Sequence, residues 1–434
     1  MLRCNILSIF LAFNLLAGAQ DWKVVRENPQ KAFPKTVAAG NYSGIAHLHD
    51  DIYAVVSDKS DSALYFNFRI QVNPKTGELE QVENLGFTER TDGTLNDGKF
   101  WQGQEKGFDH EAIVKASDST LVITSEGYCR LKEYPVLPTS ANAPKISYQQ
   151  NLWESRWPSS DFYPNYNFES LAFDSVRQYL WTISESTLRK DGQPATPQNG
   201  LANQLRLMRY DWGKNSRYMT AYAYQMDQPS THKKADIYVM GVSELCALPD
   251  GQLLVLEREA FIPKIKIGAF CKCKLYQINP LNSEEFALKE KFSSDTPFLK
   301  KRLLAEWKTG LSLSKRSFAN YEGMCLGPML EDGSQVVILL SDSQDQYAGV
   351  LKGDSLRLFN TFLYSLYLKT IGSKSACSFI YFCQTFWSFI ISMSLIFSVK
   401  SIYLSSKTCS LFNILFTSFF RTISAFYYII KYFL

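Results

Sequence analysis

The sequence predicts an all-β protein, a β-propeller with five visible four-stranded blades. Three observations carry this. Short apolar stretches alternate with polar residues at a period of two, and helical periodicity is absent from the body of the chain. Gly, Asn, Asp and Pro punctuate those stretches at short intervals. One strand–turn–strand pattern recurs five times, and self-similarity of this length marks propellers and solenoids.

The five copies open at Gly44, Glu111, Glu169, Glu244 and Glu322, 58 to 78 residues apart, each inside a short apolar strand. A turn follows, such as His49-Asp50-Asp51, Asp174-Ser175 or Pro249-Asp250-Gly251. A second, β-branched-rich strand then ends on Asp58, Glu126, Glu185, Glu257 or Asp342. Two further alternating strands follow most pairs: 64–72 with 78–84, 130–136 with 145–152, 205–212 with 217–225, and 274–279 with 302–307. Four short strands joined by turns are the layout of a propeller blade. The fifth unit offers one later strand, at 355–359. Residues 22–27 are expected to supply its missing outer strand, closing the ring and removing free edges. A sixth, degenerate blade stays open at this point.

In a propeller the innermost strands line a central channel, so residues at one repeat phase converge on the axis. Here that phase is acidic. Carboxylates crowded into one cavity repel each other, and a hard cation with many oxygen ligands would relieve the repulsion. Ca²⁺ is therefore the expected ion, with Asp58, Glu126, Glu169, Glu185, Glu257, Glu322 and Asp342 as its candidate ligands. Glu111, Glu244, Arg258 and His110 are the candidate catalytic residues. The alternative is that each acid caps a strand or pairs locally, as Arg258 beside Glu257, Lys59 beside Asp58 and Arg130 after Glu126 would permit. Recurrence at one repeat phase favours the shared cavity.

Other chemistries find little support. The chain has four histidines, and only His110 lies in a repeat motif, which argues against a soft-metal site. Cys271 and Cys273 lack the spacing of a zinc half-site and read as alternate positions on a strand. Gly241-Val242-Ser243-Glu244-Leu245 lacks the second glycine of a nucleophile elbow. His110-Glu111 has no second histidine of a zincin helix, and no Walker loop or dinucleotide fingerprint occurs.

The two ends differ from the body. Residues 1–19, with Arg3, an apolar run and Ala17-Gly18-Ala19, read as a secretory signal peptide, which places the mature chain in a secreted or periplasmic setting. From about Asn360 the composition turns to Phe, Ser, Ile, Leu and Tyr, and 376–399 is uncharged and long enough to span a bilayer. Two readings of 361–434 stand: a membrane anchor, or a shifted reading frame over A/T-rich DNA. The tail also explains the chain's positive charge. Seven Lys and Arg and no acid follow Asp354, more than the chain's whole net charge of +4, so the rest is acidic. No basic patch remains for nucleic acid, and no nucleic-acid partner is expected.

Several motifs together resemble the phytase-like family, whose domain is described as esterase-like activity of phytase. They are Phe108-Asp109-His110-Glu111, Asn167-Phe168-Glu169-Ser170, Leu256-Glu257-Arg258-Glu259 and Asn320-Tyr321-Glu322-Gly323, within a likeness covering about residues 41–351. The resemblance implies a β-propeller over 20–360 and hydrolysis of a small-molecule ester or phosphoester. The tail departs from the family pattern, which favours the shifted-frame reading; the protein meets a membrane only if the tail is an anchor. Two functions follow. One is a Ca²⁺-dependent hydrolase in which Arg258, Lys59 or His110 meets phosphate oxygens. The other is a non-enzymatic propeller that holds an ion, with loops at 86–107 and 191–203 meeting an extracellular partner.

Overall fold

The computed structural model describes residues 21–37, 40–58, 65–88, 95–96, 109–136, 152–212, 219–311, 317–342 and 362–370. They all belong to the first of two units, Met1–Ile371 and Gly372–Leu434. The expected signal peptide, the stretch 376–399, Lys59 and the strand at 355–359 lie outside the described residues. Among the described residues no helix is long and apolar enough to cross a membrane.

The chain begins with β1 (Trp22–Glu27) and β2 (Lys31–Ala32). Blade 1 follows as β3 (Tyr42–His49), β4 (Ile52–Ser57), β5 (Phe66–Val72), β6 (Leu79–Thr88) and the short β7 (Leu95–Asn96). Blade 2 holds β8 (His110–Lys115), β9 (Thr120–Ser125), β10 (Arg130–Pro135) and β11 (Glu154–Arg156). Blade 3 holds β12 (Phe168–Asp174), β13 (Tyr179–Ser184), β14 (Gln204–Asp211) and β15 (Met219–Gln225). Blade 4 holds β16 (Ile237–Ala247), β17 (Leu253–Ile262), β18 (Phe270–Ile278) and β19 (Lys301–Gly310). Blade 5 is built from β20 (Asn320–Met329), β21 (Gln335–Asp342), β22 (Phe362–Thr370) and, outermost, β1. Every pairing is antiparallel between neighbours in that order, as short turns require.

The innermost strands close a ring. β3 packs on β8, β8 on β12, β12 on β16, β16 on β20, and β20 again on β3, so no sixth blade intervenes. Five apolar clusters fill the five junctions, one between each pair of adjacent blades. Tyr42, Tyr53 and Phe68 meet Ile338 and Leu340 between blades 1 and 5. Trp181 and Leu207 meet Val242 and Val255 between blades 3 and 4. Both faces of these central strands are covered, which is why Leu253–Ile262 is buried at every position rather than at alternate ones.

Closure uses the N-terminal strand as the sequence suggests. β1 runs along β22 from Trp22 opposite Thr370 to Glu27 opposite Leu366. Trp22 Nε1 donates to Asp250 Oδ2 of blade 4 at 2.8 Å, and Tyr364 OH to Glu27 Oε2 at 2.7 Å. The third strand of this blade is β22, inside the stretch assigned above to the tail. Tyr364 to Leu368 are buried at every position, so the strand lacks the in–out alternation of a half-exposed one. The outer strand of blade 2 is β11, beyond the 145–152 expected for it.

A polar clasp fixes the long connector of blade 4. Arg206 of β14 donates from Nε and Nη2 to the two oxygens of Asp191, each at 2.7 Å, with both side chains 1 % exposed. Its remaining hydrogens reach the carbonyls of Ala287, Leu288 and Glu290, and its guanidinium lies 4.9 and 4.8 Å from the ring centres of Phe286 and Phe292.

Candidate active site at the propeller axis

Each innermost strand is interrupted by a β-bulge at the same place, between Tyr42 and Ile45, His110 and Ile113, Phe168 and Ser170, Val242 and Glu244, and Tyr321 and Gly323. A bulge leaves one strand with an extra residue and re-aims its side chain. Strand register therefore aligns the repeats. The bulged position is Ser43 in blade 1, Glu111 in blade 2, Glu169 in blade 3, Ser243 in blade 4 and Glu322 in blade 5. The position after it is small in four blades. At Gly44 a Cβ would lie 2.7 Å from Glu111 O and 2.8 Å from Ala112 Cα, so the neighbouring blade leaves no room there.

The second strands obey the same rule. Ser57, Ser125, Ser184 and Ser341 face Tyr42, His110, Phe168 and Tyr321, and an acid follows each: Asp58, Glu126, Glu185 and Asp342. In blade 4 Glu257 faces Val242 and Arg258 follows. Two positions before the bulge stand Asn41, Asp109, Asn167 and Asn320, with Gly241 in blade 4. Asn41 and Asp109 have φ of 48° and 49°, a left-handed conformation that Asn and Asp tolerate better than most residues. The carbonyls of Asn41, Asp109 and Asn167 accept the amides of Asp58, Glu126 and Glu185 at 3.2, 2.8 and 2.7 Å, tying the end of each second strand to the start of the first.

This frame gathers carboxylates into two groups. Asp58, Asp109 and Glu111 each bring one oxygen within 4.8 Å of the other two. Burial pushes the Glu111 carboxyl well above the usual carboxylate range, and the charges of Asp109, Asp58, Glu126 and Glu322 push it the same way. The second group surrounds Arg258. Its Nη1 donates to Glu322 Oε1 at 2.5 Å and to Asn320 Oδ1 at 3.1 Å, and its Nη2 reaches Glu169 Oε2 at 3.3 Å and Glu185. Burial opposes the guanidinium charge, but Glu169, Glu185 and Glu322 hold its pKa above the ordinary arginine value. Burial and the neighbouring Glu185 raise Glu169, against the pull of Arg258. Burial also raises Glu185.

Of the residues singled out from sequence, Asp58, Glu111, Glu126, Glu169, Glu185, Glu322 and Arg258 thus share one electrostatic field. Asp342 takes the same register position in blade 5 as Asp58 does in blade 1. Three residues lie elsewhere. Glu244, one residue past the bulge, is buried between blades 3 and 4, where it accepts the amides of Leu171 and Leu245, each at 2.9 Å. Glu257 turns to Lys301 Nζ at 2.6 Å and Tyr224 OH at 2.7 Å. His110 fills the buried position of Tyr42, Phe168 and Tyr321, with its ring edge-on to Tyr134 at 6.2 Å. Arg258 is held by carboxylates rather than left for a phosphate. Sequence reasoning missed Asp109; the recurrence of Asn41, Asp109, Asn167 and Asn320 before the bulge was the signal for it.

A donor set made only of carboxylate oxygens suits a hard divalent cation such as Ca²⁺, Mg²⁺ or Mn²⁺. Crowding of this kind is also where perturbed carboxyls become usable acids and bases.

Comparison with solved structures returns a streptogramin B lyase (9% identity, 80% of this chain, 98% of that chain, TM-score 0.28). It also returns a catalytically inactive virginiamycin B lyase from Staphylococcus aureus with quinupristin (8%, 80%, 99%, TM-score 0.28). A third is a member of the DUF4221 family from Bacteroides vulgatus (8%, 81%, 99%, TM-score 0.30). At these scores the likenesses carry no argument. Comparison with curated proteins found no match. The family described as "Phytase-like: Esterase-like activity of phytase" matches residues 37–344, a span that contains the bulged strand of every blade and both groups of axial carboxylates. The chain belongs to the phytase-like family.

Proposed function

We propose that the protein hydrolyses a small-molecule ester or phosphoester at the propeller axis, with a divalent cation, Ca²⁺ first among candidates, held by Asp58, Asp109 and Glu111. The observation that carries this is the approach of these three carboxylates to within 4.8 Å of one another, two of them from one blade and one from the next. A bound cation would supply electrophilic assistance to an ester or phosphoryl oxygen. The chain's own part is to hold the donors still and to move a proton. The bulges and the left-handed Asp109 fix the first. Glu169 is suited to the second, because burial and the neighbouring Glu185 lift its pKa well above the usual carboxylate range, so it takes up a proton more readily than an ordinary carboxylate. The sequence of residues 1–19 supports a secreted or periplasmic location, and attachment to a membrane would rest on 376–399 alone.

The test is calorimetric titration of Ca²⁺ into the chelator-stripped protein, repeated with Asp109→Asn and Glu111→Gln, alongside a panel of p-nitrophenyl carboxylic esters and phosphoesters. Saturable binding that both substitutions weaken, with turnover lost in parallel, is expected. Absence of binding would sink the metal-assisted reading. One observation favours a second reading, a non-enzymatic ion-binding propeller. The arginine nearest the acids is 3 % exposed and committed to three of them, leaving it poorly placed to meet a phosphate. Binding without turnover on any ester would select that reading.

A further inference from the structure

The second strand of blade 4 outruns its counterparts. β4, β9 and β13 end at Ser57, Ser125 and Ser184, level with the bulge of the strand beside them, and β21 ends one residue later at Asp342. β17 carries on five residues past Glu257, its equivalent position, to Ile262. At about 3.3 Å per residue, that lifts the β17–β18 turn roughly 16 Å beyond the bulge. Its neighbours support it to the end. Ile237 of β16 faces Ile262, and Phe261 faces Phe270 of β18, with the two phenyl rings stacked 5.2 Å apart.

The turn itself, residues 263–268, is braced. Lys266 N donates to Pro263 O at 2.8 Å and Ala269 N to Lys266 O at 3.0 Å, while Gly268 N reaches Leu311 O, just past β19, at 2.9 Å. Lys266 and Gly268 take left-handed φ values of 59° and 88°. This backbone holds two aliphatic side chains out in water, Ile265 at 76 % exposure and Ile267 at 49 %. Cations surround them. Lys264 and Lys266 alternate with the isoleucines, Lys308 lies 3.6 Å from the ring centre of Phe270, and Lys233 and Lys234 are exposed just before β16. Asp236, whose amide donates to Ile262 O at 2.9 Å, is outnumbered by these lysines. The sequence has no acid in 260–271 or in 307–321.

Protein interfaces are depleted in lysine and centre on aromatic or arginine anchors, the opposite of this composition. A convex tip of isoleucines among lysines suits an anionic lipid surface. There the apolar side chains enter the acyl boundary and the ammonium groups stay with the headgroups. We propose that the β17–β18 turn is a peripheral docking tip for anionic lipid, with Ile265 and Ile267 entering the bilayer and Lys264 and Lys266 meeting phosphate headgroups. The end of the propeller that carries the axial acids then faces the bilayer. This contact uses nothing from 376–399, and it stands whether or not Asp58, Asp109 and Glu111 hold an ion.

The full chain carrying Ile265→Trp tests this beside the parent. The vesicles are phosphatidylcholine alone or mixed equally with phosphatidylglycerol, their acyl chains brominated to quench nearby tryptophan. On the mixed vesicles the added tryptophan should be quenched beyond anything seen in the parent, and on neutral ones it should not. Adding Lys264→Gln and Lys266→Gln should raise the lipid concentration for half-quenching by on the order of tenfold or more, as the loss of two surface lysines implies. The altered side chains are exposed or half-exposed, so circular dichroism should not change. Because the readout is local to the tip, binding through 376–399 does not imitate it. A chain that stays off the mixed vesicles overturns the proposal. So does one that binds them while the added tryptophan stays unquenched, which would leave the tip to a protein partner. Equal quenching on neutral vesicles, or a lysine variant quenched like its parent, overturns it as well.

Discussion

Asn167 holds Glu126 of the preceding blade at two points. Its backbone amide donates to Glu126 Oε1 and its side-chain Nδ2 to the Glu126 carbonyl, both at 3.1 Å. The pair joins blades 2 and 3 beside the axial carboxylates, and Asn167 is buried. Asn167→Ala removes the side-chain donor and leaves a carbonyl without that partner, at a cost of about 1–3 kcal/mol. The expected result is a lower urea midpoint with an unchanged slope. An unchanged midpoint would show that the junction does not depend on this bond.

Ending the chain after Asn360 should abolish folding, whereas ending it after Ile371 should not. The first cut removes β22, which lies between β21 and β1 and gives β1 its partner. Near-ultraviolet circular dichroism of the two truncated chains distinguishes the cases. A native spectrum from the shorter chain would mean that β22 is dispensable to blade 5.

Glu244 predicts a pH dependence. Burial raises its pKa well above the ordinary carboxylate value, against the amides of Leu245 and Leu171. The folded state therefore binds a proton more tightly than the unfolded state does. Its contribution is fully present below the unfolded pKa and is lost as pH rises through the folded one. Glu244→Gln keeps an acceptor for both amides and removes the titration. The variant should gain on the parent as pH rises above the ordinary carboxylate range, with a slope approaching about 1.4 kcal/mol per pH unit. Paired denaturation curves across pH measure this, and a constant difference would rule it out.

Asp191→Ala should destabilise more than Asn167→Ala, by about 3–5 kcal/mol, because Arg206 would keep a buried charge without its carboxylate. Thermal unfolding reports the loss. A shift no larger than that of an exposed ion pair would mean that the carbonyls of Ala287, Leu288 and Glu290 suffice for the guanidinium.

Much of this was legible in the residues. The alternation in Gln204–Asp211 and the turn at Pro249-Asp250-Gly251 announce strands and hairpins through local chemistry. The borrowed strand Trp22–Glu27 was visible because the fifth unit is one strand short. The axis was harder. Aligning the repeats on their nearest glutamate put Glu244 and Glu257 among the axial acids, whereas the bulge moves blade 4 by one residue and brings Ser243 and Arg258 there instead. A single-residue slip reverses which way a strand side chain points, and only pairing reveals it. Asp109 escaped notice because it precedes the strand. β22 was hidden because a strand covered on both faces has no alternation, and its Phe, Leu and Tyr resemble the apolar residues beyond it.

The pairing of Trp22 with Thr370 imposes an order of assembly. β1 is synthesised first, yet its partner is the last described strand to be made. Blades 1 to 4 can form from neighbouring hairpins while the chain is still growing. The fifth must wait, and contacts so distant in sequence are slow to form. Until then the molecule is an open arc whose first and last blades each present an apolar flank to water. A blade of another chain could dock on either flank, as happens with incomplete repeat proteins. The clasp that leaves the finished ring without a seam thus makes the newborn chain most vulnerable to association just before its final strand arrives.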